Sequence, residues 1–390
     1  MLLRVYNTAL ELVKIVEEFE SLIWNRKYYE CGTFELVLPL TDENIIYLKK
    51  DYIIYKSDGE AGIIISRNIE IKSDGSEVLK ITGESLSGIL KKRILINKIE
   101  MNDTYSNIIR KIVLFNFVAP ANSNRKISNL QFGDIDVETE KTSYESEEHS
   151  VAYDEINKLV VAAEIGFNIK LDIKNKKFIF NLYKGIDRSS IQSDRPPVKF
   201  SRDLENILSL DYTDTNSNYK NVAIVFGDGE GSSRKKTIIN DYVVGIQRIE
   251  LYVDANDIKS TETRIVEVEV EDEDEEGNIT GSHTVEKEME VSIPWSEYEP
   301  LLIKRGNEKL NECKDCENFE GDVNTHGNNV YRKDYDLGDI VSVSDKKINR
   351  IIHTRIIEIQ ETYEKGKDGE ITLTFNNKVP SILDYIKKMR

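Results

Sequence analysis

This sequence has few of the residues that form disulfide bonds and metal centres, and it has no long apolar run of the kind that spans a membrane. Its 390 residues include three cysteines, four histidines and two tryptophans. Three cysteines cannot provide the disulfide framework of a small secreted protein, so synthesis in a reducing compartment is expected. No run approaches the ~20 apolar residues of a membrane span, and the N-terminus lacks the basic and apolar regions of a signal peptide. The sequence therefore predicts a soluble protein without an export signal.

The sequence also has fewer basic than acidic residues. The chain has 70 acidic and 53 basic residues, which give a formal net charge of -17. Much of this charge is local, because residues 262–290 contain 12 acidic and 2 basic residues. An acidic surface repels phosphate and gains little from counterion release, which disfavours nucleic acid and anionic membranes as partners. A role in handling DNA is therefore not expected.

The length and the first hundred residues predict a multidomain, mainly β protein. A chain of 390 residues exceeds one ordinary hydrophobic core and predicts two or three domains. Within residues 1–98, alternating apolar residues and turn signals such as Ser57-Asp58-Gly59 indicate closely spaced strands. The predicted strands cover residues 2–6, 18–24, 32–38, 52–55, 61–72 and 78–84. This spacing predicts a small, largely antiparallel β-barrel.

The pattern changes to helical spacing from residue 99. Apolar residues recur every three or four positions over 104–118, with Asp103-Thr104 as the expected N-cap, and again over 150–165, where Gly166 is the expected stop. Residues 167–171 and 177–183 then predict a hairpin. Residues 99–200 are therefore expected to form a separate α+β domain.

The second half of the sequence returns to strand patterns around an acidic insertion. Predicted strands cover 207–213, 219–226, 354–363 and 370–375. Between them, alternation over 266–291 predicts a long hairpin with an acidic tip, and 295–311 predicts a helix. We therefore assign 259–336 to a hairpin-and-helix insertion and 378–390 to a C-terminal tail. The predicted fold class is α+β, mainly β.

Four segments in order carry a family resemblance. The hairpin Trp24–Pro39, the segment Gly83–Arg93, the run Pro300–Gly306 and the segment Asp336–Val341 resemble the baseplate hub proteins of phage tails. With the strand pair that ends at Phe375, the resemblance extends over nearly the whole chain. It implies two similar antiparallel barrels side by side, one from residues 1–98 and a second from 201–258 with 337–377, and a homotrimer that turns them into a ring of six-fold character. The motifs are structural and assign chemistry to no residue.

One cluster has the composition of a metal site. Cys313 and Cys316 are separated by two residues, and His326 follows them. A structural zinc site needs four ligands. The fourth ligand would have to come from Asp322, Asp334 or another chain. Two ordinary loop cysteines are therefore the favoured interpretation, no metal ligand is assigned, and metal binding by this cluster stays open.

Two further motifs resemble catalytic or nucleotide-binding signatures. Cys31 with His149 or His353 as a base would make a cysteine peptidase. Because Cys31 lies between two predicted strands, a buried small residue is the better interpretation. The glycine-rich turn 227–231 lacks the Lys-Ser/Thr of a phosphate loop and is interpreted as a hairpin tip.

Charged runs complete the set of candidates. The acidic run 271–276 lacks the Asp/Asn alternation and the glycine of a calcium loop, so a solvated hairpin tip is favoured. The basic clusters 91–93 and 387–390 could face an acidic partner or lie in solvent. Carboxylate pairs for glycoside hydrolysis stay possible, because 70 acidic residues make each pair uninformative.

These observations predict a structural role without catalytic residues or cofactors. We interpret the chain as the baseplate hub of a phage or of a phage-tail-like particle such as a bacteriocin or contractile injection system. In that role it joins the tail tube to the spike or tip. The expected partners are its own copies in a homotrimer, a tube or distal tail ring, the spike or tip protein and other baseplate proteins. We expect synthesis in the host cytoplasm and a final location at the baseplate or tip of the virion tail. A tail-associated peptidoglycan hydrolase and a receptor-binding tail-tip protein are the alternatives.

Overall fold

The computed structural model contains two compact units. It describes residues 1–71, 75–209, 211–273, 279–311, 313, 316–324, 327–347 and 350–375. The first unit consists of Met1–Tyr212 and Asn318–Arg390, so the chain leaves this unit and returns to it. The second unit is Thr213–Glu317. The predicted tail 378–390 lies outside the described residues.

Strands dominate the elements of both units. Among the described residues, the α-helices are α1 (Asp42–Tyr47), α2 (Tyr105–Val113), α3 (Ala152–Ala162) and α4 (Trp295–Asn311). The strands are β1 (Leu3–Tyr6), β2 (Leu12–Val16), β3 (Ser21–Lys27), β4 (Thr33–Pro39), β5 (Ile53–Lys56), β6 (Ala61–Ile71), β7 (Glu77–Ser85), β8 (Glu100–Thr104), β9 (Leu130–Phe132), β10 (Lys141–Glu145), β11 (Gly166–Asp172), β12 (Lys177–Tyr183), β13 (Lys199–Ser201), β14 (Asp211–Thr215), β15 (Val222–Phe226), β16 (Lys236–Ile239), β17 (Glu250–Asp254), β18 (Thr261–Glu273), β19 (Ile279–Ser292), β20 (Cys316–Val323), β21 (Ile340–Asp345), β22 (Arg350–Glu364) and β23 (Glu370–Phe375). The protein is therefore mainly β with some helices, as predicted.

The main sheet of the first unit joins strands from the two ends of the chain. Within this sheet, hydrogen-bonded strands follow one another in the order β20-β23-β22-β3-β4-β7-β6-β5-β1-β2. The predicted hairpin of β3 and β4 is confirmed, with Trp24 opposite Phe34. The long strand β22 pairs with β21 through its first half and with both β23 and β3 through its second half. One strand therefore connects the N-terminal hairpin to the C-terminal strands.

Two elements of the first hundred residues were not predicted. Strand β2 reads Leu-Val-Lys-Ile-Val, and its adjacent apolar residues hide the alternation that marks a half-buried strand. Helix α1 is only six residues long, too short to show a helical period, but Thr41 caps it by accepting a hydrogen bond from the Asn44 amide. The other six strands predicted here are present within one to three residues of their predicted ends, although Lys72 lies outside the described residues.

The segment from 99 to 200 confirms both predicted helices and the hairpin. The Thr104 hydroxyl caps α2 as expected, and β11 pairs antiparallel with β12. The predicted role of Gly166 is wrong, because the left-handed residue that follows α3 is Glu164, with φ of 53°. Gly166 instead begins β11, where an added Cβ would lie 2.5 Å from the ring of Tyr28. The glycine is needed for close packing, not for helix termination.

The second unit is a three-stranded sheet covered by one helix. Its strand order is β16-β15-β17, with β15 antiparallel to β16 and parallel to β17. The turn between β15 and β16 contains residues 227–231, so the hairpin-tip interpretation of this glycine-rich stretch is confirmed. Helix α4 has the predicted bounds and buries Tyr298, Leu302 and Gly306. Leu301, next to Leu302 in the chain, is exposed.

A long hairpin belongs to the second unit. Strands β18 and β19 pair from Thr261 with Ser292 to Glu273 with Ile279, which confirms the predicted hairpin. Its base is closed by a hydrogen bond of 2.8 Å from the Ile293 amide to the Ser260 carbonyl. The predicted acidic tip at 274–276 lies outside the described residues. The strand predicted at 207–213 begins later, as β14.

The strand pairing does not show the two expected barrels. Among the described residues, no pairing closes a sheet upon itself. The two-barrel arrangement implied by the resemblance therefore stays a prediction.

Candidate functional site

The most unusual chemistry of the first unit is a charged cluster inside the main sheet. Lys56, at the end of β5, and Glu361, in β22, form an ion pair in which neither side chain is exposed by more than 1%. The Lys56 ammonium also lies 3.0 Å from Asp58 Oδ2 and 5.2 Å from the centre of the Trp24 ring. A lysine and a glutamate this deeply buried stay charged only when both are paired and hydrogen-bonded.

The carboxylate of Glu361 uses both of its oxygens. The Tyr331 hydroxyl donates a hydrogen bond of 2.9 Å to Oε1, and the Tyr363 hydroxyl donates one of 2.8 Å to Oε2. The Arg332 guanidinium lies 3.3 Å from Oε1 and 2.9 Å from Asp58. Every oxygen of the buried acid therefore has donors, which is the condition under which such a pair is tolerated in a core.

A second arginine extends the cluster towards the segment Asp336–Val341. Arg26 of β3 contacts Glu60 at 3.0 Å and Asp336 at 2.6 Å, and it donates a hydrogen bond of 2.6 Å to the Tyr331 hydroxyl. Residues from the N-terminal hairpin, the β5 to β6 turn and the C-terminal segment thus share one network. We call Lys56, Glu361, Arg26, Arg332, Asp58, Glu60, Asp336, Tyr331 and Tyr363 the charged junction.

A tightly packed aromatic lies beside the charged junction. Tyr28, which follows β3, is fully buried, and its hydroxyl accepts a hydrogen bond of 3.2 Å from the Gly185 amide. The Arg355 guanidinium lies 5.2 Å from the centre of the Tyr28 ring. Gly338, with φ of +94°, approaches the ring so closely that an added Cβ would lie 2.3 Å from it. Two of the family-like segments, Trp24–Pro39 and Asp336–Val341, therefore contact each other.

The electrostatics of the charged junction favour the ionised form of Glu361. Burial by itself would raise the pKa of this carboxyl, but the Lys56 ammonium, the Tyr363 hydroxyl and Arg332 together lower it from 4.5 to about 2. Burial likewise acts to lower the pKa of Arg26, and Glu60, Tyr331 and Asp336 more than offset it, so this pKa is raised. Both Glu361 and Arg26 are therefore held in their charged forms.

Acid is expected to weaken the protein through Glu361. The folded-state pKa of about 2 lies below the ordinary value of 4.5, so the unfolded chain takes up this proton first as the pH falls. Stability from this group is present above pH 4.5 and is lost progressively down to pH 2. Urea unfolding at a series of pH values measures the effect. Glu361→Gln should flatten the dependence, whereas parallel curves for variant and wild type would contradict it.

A matched variant separates this group from surface carboxyls. Hydrogen bonds from the Asn107 and Lys111 side chains lower the pKa of the surface residue Asp103 to about 2. Asp103→Asn should remove only the part of the pH dependence of stability that comes from Asp103. The part that comes from Glu361 should remain.

Cys31, the candidate nucleophile of a cysteine peptidase, is a packed residue of the protein interior. Cys31 is buried, and burial raises the pKa of its thiol to about 11 although a hydrogen bond with the Ser85 side chain lowers it. A thiol with this pKa is a poor nucleophile. The Nδ1 of His353, one of the two candidate bases, lies 2.9 Å from the Ser342 hydroxyl in the ladder of β21 and β22. The buried-residue interpretation of Cys31 fits this geometry.

The remaining candidates lie apart from the charged junction. Cys313 is partly exposed, while His326 lies outside the described residues, so the cluster with Cys316 stays untested. In the basic cluster 91–93, Lys91 pairs with Glu84 at 2.7 Å and Lys92 lies 3.6 Å from Asp51. The cluster 387–390 is not described. Within the described part of the chain, no group of three or more potential ligands is arranged to hold a metal ion.

Sequence reasoning missed the buried acid and its lysine. Glu361 shares its strand parity with Ile359 and Tyr363, so it occupies a core position in the alternation of β22. This alternation is the one local signal that marks Glu361 as a buried residue. Lys56 directly precedes the predicted turn Ser57-Asp58-Gly59, a place where a lysine is usually solvated, so nothing in the local sequence marked it as buried.

Comparisons with known proteins give the same fold. The protein is similar to the tail protein of Neisseria meningitidis MC58, with 13% identity, a TM-score of 0.55 and coverage of 96% of each chain. It is also similar to the 43 kDa tail protein of prophage MuSo2 from Shewanella oneidensis, with 10% identity, a TM-score of 0.56 and coverage of 97% of this chain and 98% of that one. At these identities the likeness shows the fold alone.

Family membership rests on a separate match. No curated protein matches the sequence. No helix among the described residues is long and apolar enough to cross a membrane. The family described as Siphovirus ReqiPepy6 Gp37-like protein matches residues 2–375. Because this match extends over almost the whole chain, the protein belongs to the Siphovirus ReqiPepy6 Gp37-like family, which bears out the resemblance to phage tail proteins.

Proposed function

We propose that this protein is a structural hub of a phage tail, a ring-forming adaptor that joins the tail tube to the spike or tip. Its family and its fold, which two tail proteins share, support a structural role in the tail. The observation that carries the proposal is the junction of the two chain ends in one sheet. Such a junction gives the subunit a rigid body that transmits force between neighbouring rings.

The pairing of β22 with β3 explains this rigidity. Seven residue pairs, from Glu358 with Lys27 to Glu364 with Ser21, connect strands more than 300 residues apart in sequence. Pulling the two ends apart along the strands must break this ladder together with the buried ion pair of Lys56 and Glu361. A cooperative network of this kind resists distortion better than separate surface contacts do.

The finer architecture follows from the family resemblance. We propose a homotrimer in which residues 1–98 form one barrel and residues 201–258 with 337–377 form a second. The α+β domain of 99–200 lies between them in sequence, and the insertion 259–336 extends the second. Three copies of two such barrels give a ring of six-fold character, located at the baseplate or tip of the virion. Its partners are the tube or distal tail ring, the spike or tip and other baseplate proteins.

Labelling of assembled particles tests the proposal. Gold-labelled antibodies against this protein should bind the end of the tail distal to the capsid, and a stop codon early in its gene should yield tails that lack the tip. Label along the tube, label on the head, or normal tails from the stop-codon strain would contradict it.

Two assays separate the alternatives. Clearing of bacterial cell walls by the isolated protein in a zymogram would favour the hydrolase. Specific binding to intact host cells would favour the receptor-binding protein. The hub proposal expects neither.

A further inference from the structure

A cluster of positive charge lies on the first unit where two basic segments meet. The Nε of Arg93 donates a hydrogen bond of 3.1 Å to the Arg125 carbonyl, and the Nη2 of Arg125 donates one of 2.5 Å to the Ile94 carbonyl. Lys92 and Lys126 adjoin the two arginines in the chain, and both are exposed. We call Lys92, Arg93, Arg125 and Lys126 the cationic patch.

Most of the cationic patch has no acidic partner. Lys92 lies 3.6 Å from Asp51. In the part of the chain that the structure describes, Arg93, Arg125 and Lys126 form no ion pair, although the protein has 70 acidic residues. The two arginines are held by backbone carbonyls, which leaves further N–H groups of each guanidinium for a partner. The cationic patch therefore favours an acidic partner.

Exposed apolar side chains flank the cationic patch. Ile94 and Ile96 are 49% and 51% exposed, and Phe115 is 52% exposed. Phe115 adjoins Asn116, whose Oδ1 accepts a hydrogen bond of 3.3 Å from Arg125. Protein interfaces combine apolar contacts with charges and hydrogen bonds. The patch therefore fits a protein surface that carries both acidic and apolar residues.

The hairpin of β18 and β19 has a surface of this kind. Glu286, Glu288 and Glu290 alternate along β19 and are exposed, and the ladder places Glu267 opposite Glu286. Ile265 lies opposite Glu288 and is 67% exposed, so an apolar residue shares this face. The alternation of β18 puts six glutamates on the face, which we call the glutamate face: Glu267, Glu269, Glu271, Glu286, Glu288 and Glu290.

The glutamate face carries charge of one sign. Arg264 and Lys287 are the basic residues of the hairpin 262–290, and strand alternation puts both on the opposite face. In the described part of the hairpin, Glu286 and Glu288 form no ion pair. Like charges directly opposite each other, as Glu267 and Glu286 are, destabilise a strand pair. A cationic surface against this face would relieve that repulsion.

We propose that the glutamate face of one copy binds the cationic patch of the next copy of this chain. Each copy carries both surfaces, so the protein by itself supplies a partner of the right charge for each. The contact is heterologous, because it joins two different surfaces, and repetition of such a contact closes into a ring when the rotation allows. The inference rests on the proposed hub function and names the surfaces through which its subunits meet.

Two charge reversals test this contact on the full-length protein. Lys126→Glu reverses one charge of the cationic patch, and Glu288→Lys reverses one charge of the glutamate face. Light scattering and sedimentation over a concentration series measure self-association, which should weaken at least about tenfold in each variant. Lys170→Glu makes the same charge change at an exposed lysine of β11 that belongs to neither surface, so it should associate like the wild type. Circular dichroism confirms that all variants are folded.

Combining the two reversals in one chain gives the sharper result. Lys126→Glu with Glu288→Lys restores opposite charges across the contact, so association should return towards that of the wild type. Raising the salt concentration from about 0.15 M to about 1 M shortens the screening length from about 8 Å to about 3 Å and should weaken the wild-type association.

Four outcomes would each overturn the docking. They are a wild type that stays monomeric, single reversals that associate like the wild type, a double reversal without recovery, and an equal loss in Lys170→Glu. Labelled particles keep this proposal apart from the hub function. Label at the tail tip together with any of these outcomes would overturn the docking alone, whereas absence of label from the tail ends would remove the hub function.

Discussion

Lys56→Met is expected to lower the free energy of unfolding by about 3–5 kcal/mol, the usual cost of removing one member of a buried ion pair. The substitution keeps a side chain of similar length but leaves the fully buried carboxylate of Glu361 without the ammonium beside it. The tyrosine and arginine donors of the charged junction then neutralise the carboxylate only in part. Urea unfolding with linear extrapolation measures the change.

A double variant shows that the loss comes from an unpaired charge. Lys56→Met combined with Glu361→Gln removes both charges while the amide oxygen still accepts from a tyrosine hydroxyl, so much of the stability should return. Glu35→Gln is the matched surface control, because Glu35 pairs with Lys80 at 2.7 Å and both side chains are about one-third exposed. Its expected cost is at most about 1 kcal/mol. A Lys56→Met protein as stable as the Glu35→Gln protein would contradict the role of the charged junction.

Gly338→Ala is expected to destabilise the protein through two separate effects. The backbone of Gly338 has φ of +94°, which costs an L-residue about 1–2 kcal/mol. The new Cβ would also lie 2.3 Å from the buried ring of Tyr28, and forcing it into the core costs about 1–3 kcal/mol more. Thermal and urea unfolding should therefore show a combined loss of roughly 3 kcal/mol.

Gly366→Ala separates the two effects. Gly366 has a similar φ of +80°, but an added Cβ would meet no atom within 4 Å. Only the backbone cost is expected, about 1–2 kcal/mol. Equal losses for the two variants would mean that Tyr28 moves aside without cost, and that the contact between the family-like segments is loose.

Local patterns predicted most of the individual elements. Alternation identified β3, β4 and β7, and helical spacing identified α2 and gave the bounds of α4. These signals depend on neighbouring residues along one face, which a single stretch of sequence contains. The two elements that the sequence did not predict, β2 and α1, lack such a signal. In β2 apolar residues occur on both faces, and α1 is too short for a period, so neither carries a local signal.

The candidate site was beyond such reasoning because its parts are distant in sequence. Lys56 and Glu361 are 305 residues apart, and neither has a neighbour in the chain that predicts the other. The role of Gly166 was misjudged for the same reason. A glycine after a helix usually adopts a left-handed conformation, but here the approach of Tyr28 determines the residue. Close packing between distant segments leaves no local pattern.

The sequence by itself determined the mainly β class, most strands and helices, and the likeness to phage tail proteins. These depend on periodicity and on ordered motifs, both of which are properties of short segments. The tertiary structure alone decided that β22 pairs with β3 and that Lys56 and Glu361 are buried as an ion pair. It also brought the segment Asp336–Val341 against Tyr28. The physical reason is that strand pairing over 300 residues and the burial of a charge are decided by the packing of the whole core.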